Sequence, residues 1–361
     1  MTNLEIARQR LVNQQLAGTT FEQAANVVAW MGAVQAQEYA GAKWAVAQRT
    51  RGLGEADLER SFAVGSILRT HVMRPTWHFV TPADIRWMLT LTAPRVHALN
   101  AYYYRKLELD EAVFARSSAA LEKALAGGKQ LLRSELAAAL QQAGIAGAAD
   151  DRLRLAYILM WAELEGIVCS GARRGKQHTY ALLDERAPQA STIEQDAALA
   201  ELARRYFTSH GPATLKDYIW WSGLPAAAAR AGLDAVKSQL AEEAIDGRTH
   251  WFSPETPGVQ GASPGAHLLP AFDEYTVAYK DHSAITDGQY SKEVIYGNVV
   301  VIAGQIAGQI AGAWKRTLGK DSVQIAIRPF TPLAEAGERA VSAAAGRYGE
   351  FLNTQVVLEF E

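Results

Sequence analysis

The stretch Ile167-Val168-Cys169-Ser170-Gly171-Ala172-Arg173-Arg174-Gly175-Lys176-Gln177-His178-Thr179-Tyr180-Ala181-Leu182-Leu183 decides the fold. Apolar and β-branched residues at its two ends enclose a basic, glycine-containing centre, the pattern of strand, turn, strand. Working back from it, residues 152–165 read as a helix capped by Asp150-Asp151. Residues 131–143, carrying Arg133-Ser134-Glu135-Leu136, read as a second helix. Residues 111–125 read as a third, closed by the break Gly127-Gly128. Helices followed by a hairpin outline a winged helix, a helix-turn-helix whose hairpin is the wing. In such a module a later helix enters a groove, and a wing tip bearing Arg173, Arg174 and Lys176 suits phosphate contacts. Taken alone, the tip reads equally well as a charged, solvated turn.

The same outline occurs before and after this block. Upstream, residues 4–17 read as a helix. Thr19 and Thr20 then form capping boxes with Glu22 and Gln23, ahead of a helix patterned by Phe21, Ala24, Ala25, Val28, Met31 and Gly32. Further helices are expected at 40–49 and 54–67. Two short strands follow around Arg74-Pro75, and a helix starts with Pro82 at its first position. Downstream, helices at 193–210, 214–221 and 224–240 precede an extended piece at 248–252. There Trp220-Trp221 reads as core before it reads as a stacking surface for bases. The linker Ser253-Pro254-Glu255-Thr256-Pro257-Gly258-Val259-Gln260-Gly261 separates these blocks from strand-like runs with one helix at 333–348. Within that region the tandem repeat over Gly304 to Gly312 reads as a lengthened hairpin. The expected fold is α+β: tandem winged-helix (helix-turn-helix) domains followed by a β-rich C-terminal domain. The expected divisions are residues 1–105, 106–190, 191–255 and 256–361.

Composition excludes several classes of function. A formal charge of −2 over 361 residues supplies no global field for nucleic acid, so DNA binding must rest on local basic patches. Cys169 is the only cysteine; it excludes a disulfide framework and a thiolate-rich metal site, and its apolar setting argues for a buried, inert thiol. No metal-ligand spacing and no glycine-rich phosphate loop is present, so no metal and no cofactor is expected. Without a leader or a membrane-length apolar run, we expect a soluble, cytoplasmic protein with no membrane partner.

Gln35 and Gln37 lie in Val34-Gln35-Ala36-Gln37-Glu38-Tyr39, at the end of a strongly patterned helix. Each carboxamide offers two donors and an acceptor but no base near neutral pH. Side chains at i and i+2 diverge on a helix and align on an extended segment. For the pair to act together, residues 35–37 must leave helical geometry and turn both carboxamides to one cleft. By spacing alone, two solvated glutamines at a helix end is the simpler reading.

Four segments together resemble one family. They are Val34-Gln35-Ala36-Gln37-Glu38-Tyr39; Arg69-Thr70-His71-Val72-Met73-Arg74-Pro75-Thr76-Trp77-His78; Gly211-Pro212-Ala213-Thr214 with Trp220-Trp221-Ser222-Gly223; and Leu268-Leu269-Pro270-Ala271-Phe272-Asp273-Glu274-Tyr275. In this order they resemble the AlkZ-like winged-helix DNA glycosylases over nearly the whole chain. The resemblance implies a monofunctional DNA glycosylase that excises cationic N-alkylated purines and, in some members, unhooks interstrand crosslinks. It places the active site at a glutamine–X–glutamine motif, matched here by Gln35-Ala36-Gln37. The lengthened segment around Gly304 to Gly312 departs from the family pattern.

The chemistry fits a neutral pair. A purine alkylated at N7 or N3 carries positive charge and leaves without a general acid. Two carboxamide oxygens can hold a water against the anomeric carbon and turn a negative dipole toward an oxocarbenium-like sugar. In the strand hairpin Arg69, His71, Arg74, Thr76 and His78 are candidates to grip phosphates around a lesion. His78 reads equally well as a half-buried structural residue. The expected partner is double-stranded DNA carrying alkylated bases. Near-neutral charge and three winged-helix-like units on one chain weigh against a simple dimeric regulator, and a monomer is expected. The competing readings are a non-catalytic winged-helix DNA-binding protein and a scaffold that kept the fold without the activity.

Overall fold

The computed structural model describes residues 1–18, 21–145, 147, 151–255, 265–286, 297–303 and 308–361. The expected capping by Thr19 and Thr20, Asp150, most of the 253–261 linker and residues 304–307 of the lengthened hairpin lie outside them. The chain divides into two compact units. One comprises Met1–Leu58, Leu199–Ser222 and Ala226–Glu361; the other comprises Glu59–Ala198 and Gly223–Pro225.

The chain opens with α1 (Asn3–Asn13), where Thr2 and Glu5 form a capping box. Next come α2 (Ala24–Met31), the two-residue extended segment β1 (Val34–Gln35), α3 (Tyr39–Ala47) and α4 (Glu55–Val64). The helix α2 stops because Gly32 takes φ 78°, a left-handed conformation that glycine adopts without strain.

The second unit contains the hairpin β2 (Leu68–His71) and β3 (Trp77–Val80), with Thr70 opposite His78 and His71 opposite Trp77. The following α5 (Ile85–Lys106) starts later than Pro82, because a turn closes first, with Thr81 Oγ1 donating to Asp84 Oδ2 at 2.6 Å. Then come α6 (Glu111–Leu125), β4 (Leu131–Leu132), α7 (Arg133–Gln142), α8 (Arg152–Leu164), β5 (Val168–Ser170), β6 (Thr179–Leu182) and α9 (Leu183–Arg186). Leu131 and Leu132, expected at the start of a helix, are a strand instead. Their backbone pairs with Tyr180 and Thr179, giving the sheet order β4-β6-β5. The core of this winged helix is a cluster of Phe114, Leu121, Leu136, Leu140, Ile158 and Val168, with Trp161 stacked on Phe114 at 3.8 Å.

The chain re-enters the first unit at Leu199, within α10 (Gln195–Ser209), and continues with α11 (Leu215–Ser222) and α12 (Ala226–Val236). The expected helix over 224–240 thus ends at Val236, and a 3-10 turn takes Lys237–Gln239. A hairpin follows, β7 (Ala241–Ile245) with β8 (Arg248–Phe252), and Ala213 exchanges backbone hydrogen bonds with Trp251 at 3.1 and 2.8 Å. A single bridging residue before the second helix here repeats the role of β4, so the two blocks share one winged-helix plan.

The C-terminal region runs β9 (Gly265–Leu269), α13 (Glu274–Val277), β10 (Val299–Ala303), β11 (Gln309–Leu318), β12 (Ser322–Pro329), α14 (Glu335–Leu352) and β13 (Gln355–Phe360). Its sheet has the order β13-β12-β11-β10-β9. The pairs are antiparallel except β12 with β13, which are parallel and need α14 as the crossover. Trp44 of α3 packs its ring on Tyr348 and Phe351 of α14 at 5.0 and 5.2 Å. The helices α1 to α3 therefore belong with the last sheet. The fold is α+β, with tandem winged helices followed by a β-rich C-terminal region, as the residue pattern predicts.

Candidate active site and nucleic-acid interface

Gly32 ends α2, and Val34-Gln35 continues as extended chain. Ala36, Gln37 and Glu38 lie outside any helix until α3 begins at Tyr39. The departure from helical geometry that a cooperating pair requires is therefore present. Gln35 is buried at 9% exposure and Gln37 is exposed. What holds this segment is remote in sequence. The Gln35 N–H donates to Glu274 Oε1 at 2.7 Å, and the Trp221 indole N–H donates to Glu274 Oε2 at 2.9 Å. Glu38 caps α3 by accepting from the Gly41 N–H.

Glu274 sits at the first turn of α13, beside Asp273, and both are 1% exposed. Asp273 caps that turn by accepting from the Tyr275 N–H at 2.9 Å. Its two oxygens take a bidentate pair from Arg49, at 2.8 and 2.9 Å. Arg49 also donates to the Gln14 backbone and side-chain oxygens and to the Ala45 carbonyl, so its buried charge is fully engaged. The Gln14 amide donates to the Tyr279 hydroxyl at 2.9 Å, and that hydroxyl donates to the His210 carbonyl at 2.8 Å. His210 stacks on Tyr206 at 5.0 Å, with Nε2 3.5 Å from Glu274 Oε2. Burial pushes the His210 imidazole below its ordinary value, against the opposing pull of Glu274, and pushes the Tyr275 and Tyr279 phenols upward. His210 is thus a neutral wall beside a buried acid.

The second unit carries the remaining sequence-predicted residues. Arg69 is buried with its guanidinium 4.3 Å over the Trp77 ring, and its N–H donates to Ser170 Oγ at 2.7 Å. That bond ties the β2–β3 hairpin to β5 of the wing sheet. His71 is buried, with Nδ1 hydrogen-bonded to the Glu163 carboxylate. His78 is fully buried, donating from Nδ1 to the Thr76 carbonyl at 3.0 Å and accepting from Arg74 Nη2 at 3.3 Å. Arg74, Pro75, Thr76 and Trp77 are the residues of this hairpin that reach the surface, although the Thr76 hydroxyl oxygen is buried. Its turn is backed by Gly223, at φ 68°, where an added Cβ would lie 2.3 Å from the Met73 carbonyl oxygen. On the wing, Arg174 and Gln177 close a two-residue tip, Gly175-Lys176, through backbone hydrogen bonds of 3.0 and 3.2 Å. Arg173 pairs with Glu59 and Arg174 with Glu135, each at 2.8 Å, and Lys176 is exposed.

Sequence reasoning assigned no role to Glu274, Asp273, Arg49 or His210. The signal was the adjacent acidic pair inside the apolar run from Leu268 to Tyr275, since a carboxylate buried in such a run needs a partner. Cys169 is buried, and burial pushes its thiol up to about 12, the inert state its surroundings predict. Trp221 is fully buried and Trp220 is 37% exposed. Among the described residues no helix is long and apolar enough to cross a membrane.

A family model for AlkZ-like DNA glycosylases matches residues 28–351. A Streptomyces sahachiroi protein named interstrand DNA cross-link repair glycosylase is 25% identical over 354 residues, covering 93% of this chain and 92% of that protein. The solved structure of Streptomyces sahachiroi DNA glycosylase AlkZ superposes with a TM-score of 0.84 at 20% identity, covering 100% of both chains, a likeness of fold.

Proposed function

The chain belongs to the AlkZ-like DNA glycosylase family, and from that premise we propose that it excises cationic N-alkylated purines, crosslinked guanines among them, through Gln35 and Gln37. The observation that carries the reading is the Gln35-Ala36-Gln37 segment held out of helix immediately before α3. Water attacks the anomeric carbon and the N-glycosidic bond breaks. Its electron pair neutralises the alkylated base, and the water's proton passes to solvent. The carboxamide oxygens orient that water and face their dipoles to the developing cation. Neither glutamine removes a proton, so the substrate must bring its own activation; undamaged purines are spared for that reason. Extension to crosslinks draws on the name of the Streptomyces sahachiroi relative.

DNA contact is assigned to Arg74 and Lys176 at the surface, with Arg173 and Arg174 released from Glu59 and Glu135 by competing phosphates; Thr76, whose hydroxyl is buried, helps shape the hairpin. Arg69, His71 and His78 act from inside the hairpin, fixing its shape. The product is an abasic site, with no strand cleavage until alkali is added, and the enzyme works as a cytoplasmic monomer. The test is release of N7-methylguanine from duplex DNA by the wild type and by the Gln35→Ala/Gln37→Ala double variant. The wild type is expected to release the base, and the double variant to lose at least ~100-fold in single-turnover rate with duplex binding retained, the scale of loss when a positioned donor–acceptor set is removed. A double variant as fast as the wild type refutes the reading.

A further inference from the structure

A pair of carboxamides offers dipoles to a cationic sugar but no charge. A buried carboxylate held against the motif belongs to Glu274, 239 residues away in sequence and 1% exposed. Both of its oxygens accept N–H donors, Gln35 at 2.7 Å and Trp221 at 2.9 Å, the arrangement that satisfies an ionised carboxylate. Its backbone is pinned in turn, because it follows the Asp273 cap that Arg49 clamps. The Gln14 amide also leans on the Glu274 carbonyl at 3.5 Å. A carboxylate fixed this firmly cannot swing out to solvent, and in a dry surrounding its field is weakly screened.

We propose that Glu274 is the positioning residue of the active site, holding Gln35 by its backbone and setting a fixed negative charge behind the two carboxamides. The inference rests on the reading that Gln35 and Gln37 flank the reacting sugar. A charge placed there favours the oxocarbenium over the neutral substrate sugar and over the neutral abasic product. The motif that looks neutral in sequence therefore works in front of an anion supplied by another part of the chain. Trp221 and the neutral His210 complete the setting: one satisfies the second oxygen, and the other adds no opposing charge.

The experiment compares affinity for two duplexes, one with a protonated pyrrolidine at the abasic position and one with a neutral tetrahydrofuran there. Both are measured with the wild type, Glu274→Gln and Glu274→Asp. The wild type is expected to prefer the cationic analogue. Glu274→Gln is isosteric and keeps an acceptor for the Gln35 N–H; it should lose that preference by ~10-fold or more, the size of a buried charge contact, while its tetrahydrofuran affinity holds. Loss of affinity for both duplexes alike would mean a scaffold role only and overturns the proposal, as does an unchanged preference. Should Glu274→Gln fail to fold, Glu274→Asp carries the test. Its charge is withdrawn by one methylene, so the preference must fall, and a full wild-type preference overturns the proposal. Base release separates the two readings. A wild type that releases no N7-methylguanine removes the glutamine reading, whereas an active wild type with an indifferent Glu274→Gln removes only this one.

Discussion

Replacing Arg49 with methionine tests whether the acidic pair behind the motif is held as the geometry indicates. Arg49 is 1% exposed, and its side chain donates five hydrogen bonds, two to Asp273, two to Gln14 and one to Ala45. Methionine fills most of the space and replaces none of these bonds. Asp273, itself 1% exposed, is then left without its ion partner. Removing one partner of a buried ion pair costs about 3–5 kcal/mol, because the desolvation of the survivor is no longer offset. For a cooperative unit of 150–250 residues each kcal/mol moves Tm by about 2–4 °C, so the expected drop is ~6–20 °C. Calorimetry and circular dichroism melts give the number. The double variant Arg49→Met/Asp273→Asn sharpens the test. Neutralising the stranded carboxylate should recover part of the loss, since no uncompensated charge remains. A single-variant drop below ~2 °C, or a double variant no more stable than Arg49→Met, refutes the ion-pair account. Well below its melting point, Arg49→Met should also release N7-methylguanine more slowly, because Asp273 and Glu274 share one turn.

Two further outcomes follow from the same structure. The His267 imidazole is pushed down from its ordinary 6.5 to about 3, chiefly by burial and then by Arg347 and Arg49. Its folded value lies below its unfolded value, so its contribution is fully present above pH 6.5 and is lost as pH falls toward about 3. The upper bound on that loss is ~5 kcal/mol at ~1.4 kcal/mol per unit. Denaturant titrations should therefore show His267→Gln with a flatter decline in stability between about pH 7 and about pH 4 than the wild type, and parallel declines would refute it. At the wing tip, Lys176→Ala should lower the slope of log K against log salt for duplex binding by about 0.9, the share of one phosphate contact. Arg173→Ala and Arg174→Ala should change it less, because Glu59 and Glu135 already engage those guanidiniums. An unchanged slope in Lys176→Ala removes the wing from the interface.

The sequence by itself determined the local elements and their order. Helix periodicity, the glycine breaks and the basic hairpin centred on Gly175-Lys176 are consequences of neighbours a few residues apart, and the winged-helix plan follows from them. Gly32 and the extended Val34-Gln35 are local too, which is why the exit from helical geometry before α3 was legible. The strand β4 was not, because two leucines ahead of a helix start become a strand only when Tyr180 and Thr179 offer an edge to pair with. His71 and His78 posed the same difficulty: their residue type suits phosphate contacts, but burial among Glu163, Trp77 and Arg74 depends on packing. Tertiary structure alone decided the surroundings of the glutamines. Glu274 reaches Gln35 across 239 residues, and Arg49 reaches Asp273 across 224. No periodicity encodes such pairings; they arise because a carboxylate taken out of water must find donors wherever the folded chain provides them.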